Sequence, residues 1–109
     1  MNECVFCRIV SGDIPAEILM HNDTCFVIRD IAPKAPLHLL IILKKHKADI
    51  LALDTLESAR DIFSLAQEVA QTQPNAKEFK LVINNGYTAG QRIFHLHAHF
   101  LAGSSIEAV

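Results

Sequence analysis

Three histidines stand at alternate positions in Phe94-His95-Leu96-His97-Ala98-His99-Phe100-Leu101. On an extended strand successive side chains face opposite ways. His95, His97 and His99 are therefore expected on one face, with Phe94, Leu96, Ala98 and Phe100 on the other, packed under a helix. Neighbouring imidazoles on such a strand are about 6.6 Å apart and the outer two about 13 Å apart. One ion can take two neighbours but not all three, so the row asks for more than one role. The residues alone leave open a solvated polar face, a metal site, or catalysis by one nucleophilic imidazole whose neighbours handle protons. Just upstream, Asn84, Asn85, Gly86 and Gly90 are residue types that let backbone N–H groups converge on an anion. Gly90-Gln91 leads directly into the histidine segment. An anion cradle beside a nucleophilic imidazole suggests phosphoryl chemistry. At the other end of the chain, Cys4 and Cys7 are spaced i, i+3, which puts both thiols on one side of a helical turn. That pair reads as metal-binding or redox-active. Cys25 lies inside a strand pattern and reads as a core thiol, and His21 beside a turn reads as exposed.

The elements that position these groups follow from periodicity and punctuation. Residues 4–10 suit a short helix, stopped by Ser11-Gly12-Asp13-Ile14-Pro15. Residues 17–21 and 24–29 read as two strands around a hairpin-type turn. The loop Ala32-Pro33-Lys34-Ala35-Pro36 precedes a Leu- and Ile-rich strand, Leu37–Leu43. A long helix is predicted over about 55–72, with Asp54 as N-cap and Glu57 at the capping-box position. Its apolar stripe is Leu56, Ala59, Phe63, Ala66 and Ala70, widened by Ile62 and Val69. Strands at 78–84 and 93–101 complete the chain. The order predicts an α+β domain spanning 1–109: about five strands in a mostly antiparallel sheet, with one short N-terminal and one long helix packed on it. The edge strand, 78–84 or 93–101, can pair across a two-fold axis, which predicts a homodimer.

Composition narrows the function. The chain has 109 residues, half of them hydrophobic, with ten Lys and Arg against twelve Asp and Glu. That balance argues against a basic nucleic-acid or membrane footprint. With no Trp and one Tyr, a surface of stacked aromatics is not expected. The longest apolar run, Leu37–Leu43, is too short to span a bilayer, and the first residues carry no signal-peptide features. Three cysteines are too few for a disulfide scaffold. A reducing cytoplasm is therefore the expected location.

Gly90-Gln91-x-x-x-His95-Leu96-His97-Ala98-His99-Phe100-Leu101 resembles the signature of the histidine-triad superfamily, His-φ-His-φ-His-φ-φ. So do the opening Cys4-Val5-Phe6-Cys7-Arg8-Ile9-Val10-Ser11-Gly12-Asp13-Ile14-Pro15, the run from Asp30 through Ala32-Pro33-Lys34-Ala35-Pro36 to His38, and Lys44-Lys45-His46. The resemblance runs in order over nearly the whole chain. It is closest to the histidine-triad nucleotide-binding branch. It implies an α+β domain that dimerises and hydrolyses purine nucleoside phosphoramidates, without magnesium, through a nucleotidylated histidine. By resemblance, His97 is the nucleophile, His99 contacts the phosphate and His38 helps with protons. Asp30 takes the ribose hydroxyls, Phe6, Ile9 and Ile31 wall the base, and Asn84, Gly90, Gln91 and Arg92 face the phosphate. The resemblance also implies a structural zinc held by Cys4, Cys7, His46 and His95. Two other readings stay open: hydrolysis of dinucleoside polyphosphates or nucleotidyl sulfates, and a non-catalytic nucleotide- or zinc-binding adaptor.

Arg92 departs from the pattern, standing where eukaryotic nucleotide-binding members carry Ser. A regular strand would send it to the buried face, where an unpartnered charge is costly. The backbone is therefore expected to be irregular at Gln91-Arg92, with the guanidinium in solvent or on an acidic partner. The backbone N–H of Arg92 is then expected to hold the phosphate. Arg92→Ser should change kcat/KM on a phosphoramidate by less than tenfold, about 1.4 kcal/mol.

Overall fold

Residues 3–106 are described by the structure, a computed structural model. The elements are α1 (Val5–Val10), β1 (Met20–His21), β2 (Cys25–Arg29), β3 (Leu37–Leu43), α2 (Leu56–Thr72), β4 (Phe79–Val82) and β5 (His97–Ala102), with single 3₁₀ turns at Ile50–Ala52 and Tyr87–Ala89. The five strands form one sheet in the order β1-β2-β3-β5-β4, and every neighbouring pair is antiparallel. This is the predicted α+β architecture.

β2 and β3 are buried on both faces, which explains their nearly continuous apolar sequence. Cys25, Val27, Leu39, Ile41, Ala98 and Phe100 face α2 and pack on Ile62, Leu65, Ala66 and Val69. Burial also pushes the Cys25 thiol pKa up, as suits a core thiol. Phe26, Ile28, Leu40 and Ile42 face the other way and pack with Phe6 of α1. Each fully buried side chain of this size contributes roughly 1.5–3 kcal/mol. The asymmetry between the faces makes the site. α2 has 17 residues and α1 only six, so the α1 face is covered at one end and open over β3, β5 and β4.

Several boundaries differ from the sequence expectation, each for a local reason. The strand predicted at 17–21 is reduced to Met20–His21. The N-cap of α2 is Thr55, whose Oγ1 accepts the Ser58 N–H at 3.3 Å. Asp54 is occupied instead by the Lys47 ammonium at 3.1 Å, which holds its carboxyl below the usual range. The helix presents Ile62, Leu65, Ala66 and Val69 to the sheet and leaves Leu56 and Phe63 exposed. Its phase is fixed partly by the buried Asp61, which accepts Thr24 Oγ1–H at 2.8 Å, while its carbonyl accepts Asn22 Nδ2–H at 3.0 Å. The strand predicted at 93–101 begins at His97 and lies inside the sheet, so of the two candidates β4 is the edge strand. No helix among the described residues is long and apolar enough to cross a membrane.

Candidate active site and metal centre

The open part of the α1 face is a cavity of about 380 Å³. Register sets its floor. Leu40 lies opposite His99, which lies opposite Val82, and His38 lies opposite Leu101. His38 and His99 are thus diagonal cross-strand neighbours, with Nε2 of the first 2.9 Å from Nδ1 of the second. His97 lies one step further along β5, its ring 5.2 Å from that of His99. One wall is the β2–β3 loop with Asp30, Ala32 and Lys34. The other is the loop before β5 with Asn84, Gly90, Arg92 and Ile93.

Hydrogen-bond partners fix the tautomers. The Lys34 N–H donates to His38 Nδ1 at 3.0 Å, so the proton of neutral His38 is on Nε2. That proton is offered to His99 Nδ1, with Asp30 Oδ2 also near at 3.3 Å. His99 Nδ1 therefore accepts, and the proton of His99 is on Nε2. His97 Nδ1 is 2.7 Å from the His95 carbonyl, which can only accept. His97 therefore donates from Nδ1 and keeps its lone pair on Nε2, where no protein partner lies among the described residues. This is the form an imidazole needs to act as a nucleophile.

Burial lowers the pKa of His38, His97 and His99, keeping the cluster neutral near pH 7. His99 is held at about 4, by burial first and then by its His97 and His38 neighbours. As pH falls through 6.5, the unfolded chain takes up a proton here that the folded chain refuses until about 4. Stability is therefore full above that window and is lost on descending through it. An NMR titration of the His99 ring should give a midpoint near 4; an ordinary midpoint near 6.5 would contradict this packing.

Asp30, His38 and His99 lie close enough to hold an ion. The Lys34 N–H on Nδ1 argues against it, because it leaves a proton on the His38 nitrogen that would ligate. The trio is a hydrogen-bond relay. Asp30 Oδ1 also accepts the Ala32 N–H at 2.8 Å, in an Asx-type turn that shapes the wall.

A second cluster sits at the closed end of the face. Cys4 Sγ is 3.1 Å and Cys7 Sγ 3.5 Å from His95 Nδ1; His46 Nδ1 is 3.3 Å from Cys7 Sγ and 3.2 Å from His95 Nδ1. Tetrahedral metal with bonds of about 2.3 Å to sulfur and about 2.0 Å to nitrogen needs ligand separations of roughly 3.3–3.8 Å. The four donors are close to that arrangement. His95, fully buried, donates from Nε2 to the Leu43 carbonyl at 2.6 Å, which leaves its Nδ1 lone pair for a metal. These residues can hold a metal ion.

The structure places the remaining candidates less uniformly. Phe6 is buried and meets the rings of His95 and His97 edge-on. Ile9 lines a separate groove with Phe26 and Lys44, and Ile31 is fully exposed. None of these three lines the cavity with His97. Gln91 is also turned away from it. Its Oε1 accepts the Gly86 N–H, and its Nε2 donates to the Ala48 and Ile93 carbonyls, so it staples the loop. That staple explains why the ladder starts late and why Phe94 is exposed rather than packed under a helix. His95 precedes the ladder but stays on the His97 face, where Phe6 contacts both rings. Gly90, at φ 101, makes a turn that a side chain would strain, and Asn84 Nδ2 donates to the Ala89 carbonyl across it. The expected irregular backbone at Gln91-Arg92 is present. His21 is exposed.

This fold and its histidine cluster define a protein class. The chain matches the family model for the HIT domain over residues 11–106. It is 38% identical over 103 residues to an uncharacterized HIT-like protein of Synechocystis sp., covering 93% of this chain and 90% of that one. It is similar to the structure of a HIT family hydrolase from Clostridium thermocellum, with TM-score 0.92, 36% identity and coverage of 100% and 97%. A Zn-bound histidine triad family protein from Mycobacterium smegmatis gives TM-score 0.82 and 33% identity, over 92% of this chain and 74% of that one. The chain belongs to the histidine triad, or HIT, family.

Proposed function

We propose that the protein is a purine nucleoside phosphoramidate hydrolase that works through a nucleotidylated His97. The observation that carries this reading is the tautomer of His97, held by the His95 carbonyl with the Nε2 lone pair uncommitted beside a cavity. In the first step His97 Nε2 bonds to the α-phosphorus. The phosphorus–nitrogen bond of the substrate breaks, its electron pair goes to the nitrogen, and the amine leaves with a proton taken from solvent water. Water then attacks the same phosphorus, the bond to His97 breaks, and a nucleoside monophosphate is released. His99 presents Nε2–H to the phosphoryl oxygens, and His38 with Asp30 holds His99 in that tautomer. Asp30 retains lone pairs for the ribose hydroxyls. Positioning and charge stabilisation carry the catalysis, which gives magnesium no role. Release of AMP or GMP from the phosphoramidate by wild type, and its loss in His97→Ala, tests the proposal; equal rates would overturn it.

We further propose that Cys4, Cys7, His46 and His95 bind zinc, for which two thiolates and two imidazoles are a suitable donor set. Zinc there supplies no chemistry to the reaction and instead cross-links α1 to the segment that carries the nucleophile. Reduced thiolates of this kind suit the cytoplasm.

The molecule is read as a homodimer. β4 is an unpaired sheet edge, and beside it Phe63 of α2 and Phe79 are exposed apolar side chains. A second copy related by a two-fold axis covers both features at once. Sedimentation should give twice the 12.1 kDa chain mass, and Phe63→Glu should return the monomer. A monomeric wild type at micromolar concentration would contradict the reading.

A further inference from the structure

Cys4 and Cys7 are placed so that they can ligate together or oxidise together. Their sulfurs lie 3.1 Å and 3.5 Å from one nitrogen, His95 Nδ1, and within 4.8 Å of each other. The first turn of α1 holds them. Cys4 is its N-cap, the Cys7 N–H donates to Cys4 Sγ at 3.4 Å, and the Arg8 N–H donates to the Cys4 carbonyl at 3.0 Å. Across one helical turn, Cα atoms three positions apart are about 5 Å from each other. That is inside the span of roughly 4.4–6.8 Å that a disulfide bridges. Access is uneven. Both cysteines are half-buried, and His46, against Cys7 Sγ at 3.3 Å, is exposed, whereas His95 is buried. A small oxidant therefore reaches Cys7 first, from the His46 side. Cys25 cannot take part, because it is buried on the α2 face of the sheet. The two cross-links open to this pair differ in reach. A metal ion on all four donors ties Cys4 to His95, 91 positions away. A Cys4–Cys7 disulfide closes only a single helical turn. Stabilisation by a cross-link grows with the length of the loop it closes. α1, with six residues, depends on what ties it to the rest of the chain.

We infer that Cys4 and Cys7 are an oxidative modification site, at which a hydroperoxide forms a disulfide that displaces the metal and destabilises the fold. The inference rests on the zinc reading above, and it makes the metal-binding and redox uses of the pair two successive states of one centre. In the first step the Cys7 thiolate attacks a peroxide oxygen. The oxygen–oxygen bond breaks, hydroxide leaves and Cys7 becomes a sulfenic acid. The Cys4 thiolate then attacks the Cys7 sulfur, the sulfur–oxygen bond breaks and a second hydroxide leaves. Two electrons have passed from the two sulfurs to the peroxide, and the two hydroxides take protons from solvent. The disulfide removes two of the four donors, and His46 and His95 alone do not make a closed tetrahedral site. A long-range cross-link is thereby exchanged for a local one, so oxidation lowers stability, the opposite of what a structural disulfide does. A dithiol reductant reverses the chemistry, and zinc restores the cross-link. While the fold holds, the hydrogen bonds of His38, His97 and His99 are untouched by the exchange, so the effect is on the lifetime of the folded protein rather than on the chemical step.

The test treats zinc-loaded protein with hydrogen peroxide and reads three quantities that do not depend on activity. Peptide mass spectrometry should find Cys4 and Cys7 joined, the peptide lighter by two hydrogens, with Cys25 still reduced. A chromophoric metal indicator should detect zinc released in step with the disulfide. The melting temperature should fall by roughly 10 °C. Dithiothreitol with added zinc should restore it, and dithiothreitol without zinc should not. The deciding comparison is His46→Ala, which keeps both thiols but lacks a metal ligand. There the same disulfide has no metal to displace, so peroxide should leave the melting temperature unchanged or raise it. Wild type stripped of zinc by a chelator should behave in the same way. A fall as large in the zinc-free proteins as in the loaded one overturns the inference, because it marks general oxidative damage. Zinc retained after the thiols are oxidised overturns it, and so does an unchanged or higher melting temperature in the loaded protein. Sulfinic acid or an intermolecular disulfide in place of the Cys4–Cys7 bond does the same. Protein that carries no zinc before peroxide is added overturns the metal reading, and the inference with it.

Discussion

His97→Ala is expected to lower phosphoramidate turnover by at least roughly 10³-fold while the protein stays folded and still binds nucleotide. The chemical effect is large because no neighbour can take over. His99 carries its proton on Nε2 and spends Nδ1 on His38, and His95 spends Nε2 on the Leu43 carbonyl. The structural effect is small because His97 is only half-buried, and its hydrogen bond goes to a backbone carbonyl beside the cavity. Loss of the edge-on contact with Phe6 should lower the melting temperature by only a few degrees, corresponding to about 1 kcal/mol or less. His97→Gly should recover part of the activity with added imidazole. Near-normal rates in His97→Ala, with the fold verified by circular dichroism, would remove the covalent mechanism.

The second large effect is expected at the metal centre. Cys4→Ser or His46→Ala should reduce the zinc content from about one per chain to a small fraction. Either should also lower the melting temperature by roughly 10 °C or more. The four donor atoms lie within 4.8 Å of one another, which concentrates lone pairs that an ion would bind and that water reaches poorly at His95. α1 is only six residues long and cannot hold its conformation by itself. Phe6 anchors it on one side and the cysteines on the other. At a temperature where the variants remain folded, the chemical step should change far less than the stability. Protein purified without chelator that carries no zinc would count against this centre.

The sequence was most legible where one periodicity allowed one outcome. Leu37–Leu43 formed as predicted because a Leu- and Ile-rich run between a proline loop and a lysine pair has no other use. The long helix forms at Leu56–Thr72 and buries Ile62, Ala66 and Val69 of the expected stripe, but it adds Leu65 and leaves out Leu56 and Phe63. It has apolar residues on two sides, and only the sheet decides that Ile62, Leu65, Ala66 and Val69 go inward and that Leu56 and Phe63 stay out. Strict alternation through 93–101 suggested a strand from its first residue. The buried Gln91 side chain instead holds the segment before His97 off the ladder, which a local pattern does not reveal. The convergence of Cys4, Cys7, His46 and His95 followed from the family resemblance, since Cys4 and His95 are 91 positions apart. The tautomers could not be read from sequence at all. They depend on which backbone groups face each ring, such as the Lys34 N–H on His38 and the His95 carbonyl on His97.

The central claim is that His97 Nε2 becomes covalently bonded to the α-phosphorus of the substrate. The most direct measurement is peptide mass spectrometry of enzyme quenched during turnover of an adenosine phosphoramidate, under alkaline conditions that preserve a phosphorus–nitrogen bond. The account predicts an adenylyl group on the peptide containing His95, His97 and His99, localised by fragmentation to His97 and missing from His97→Ala. An adenylyl group on His99 or His38, or steady turnover with no adduct at any histidine, would contradict it.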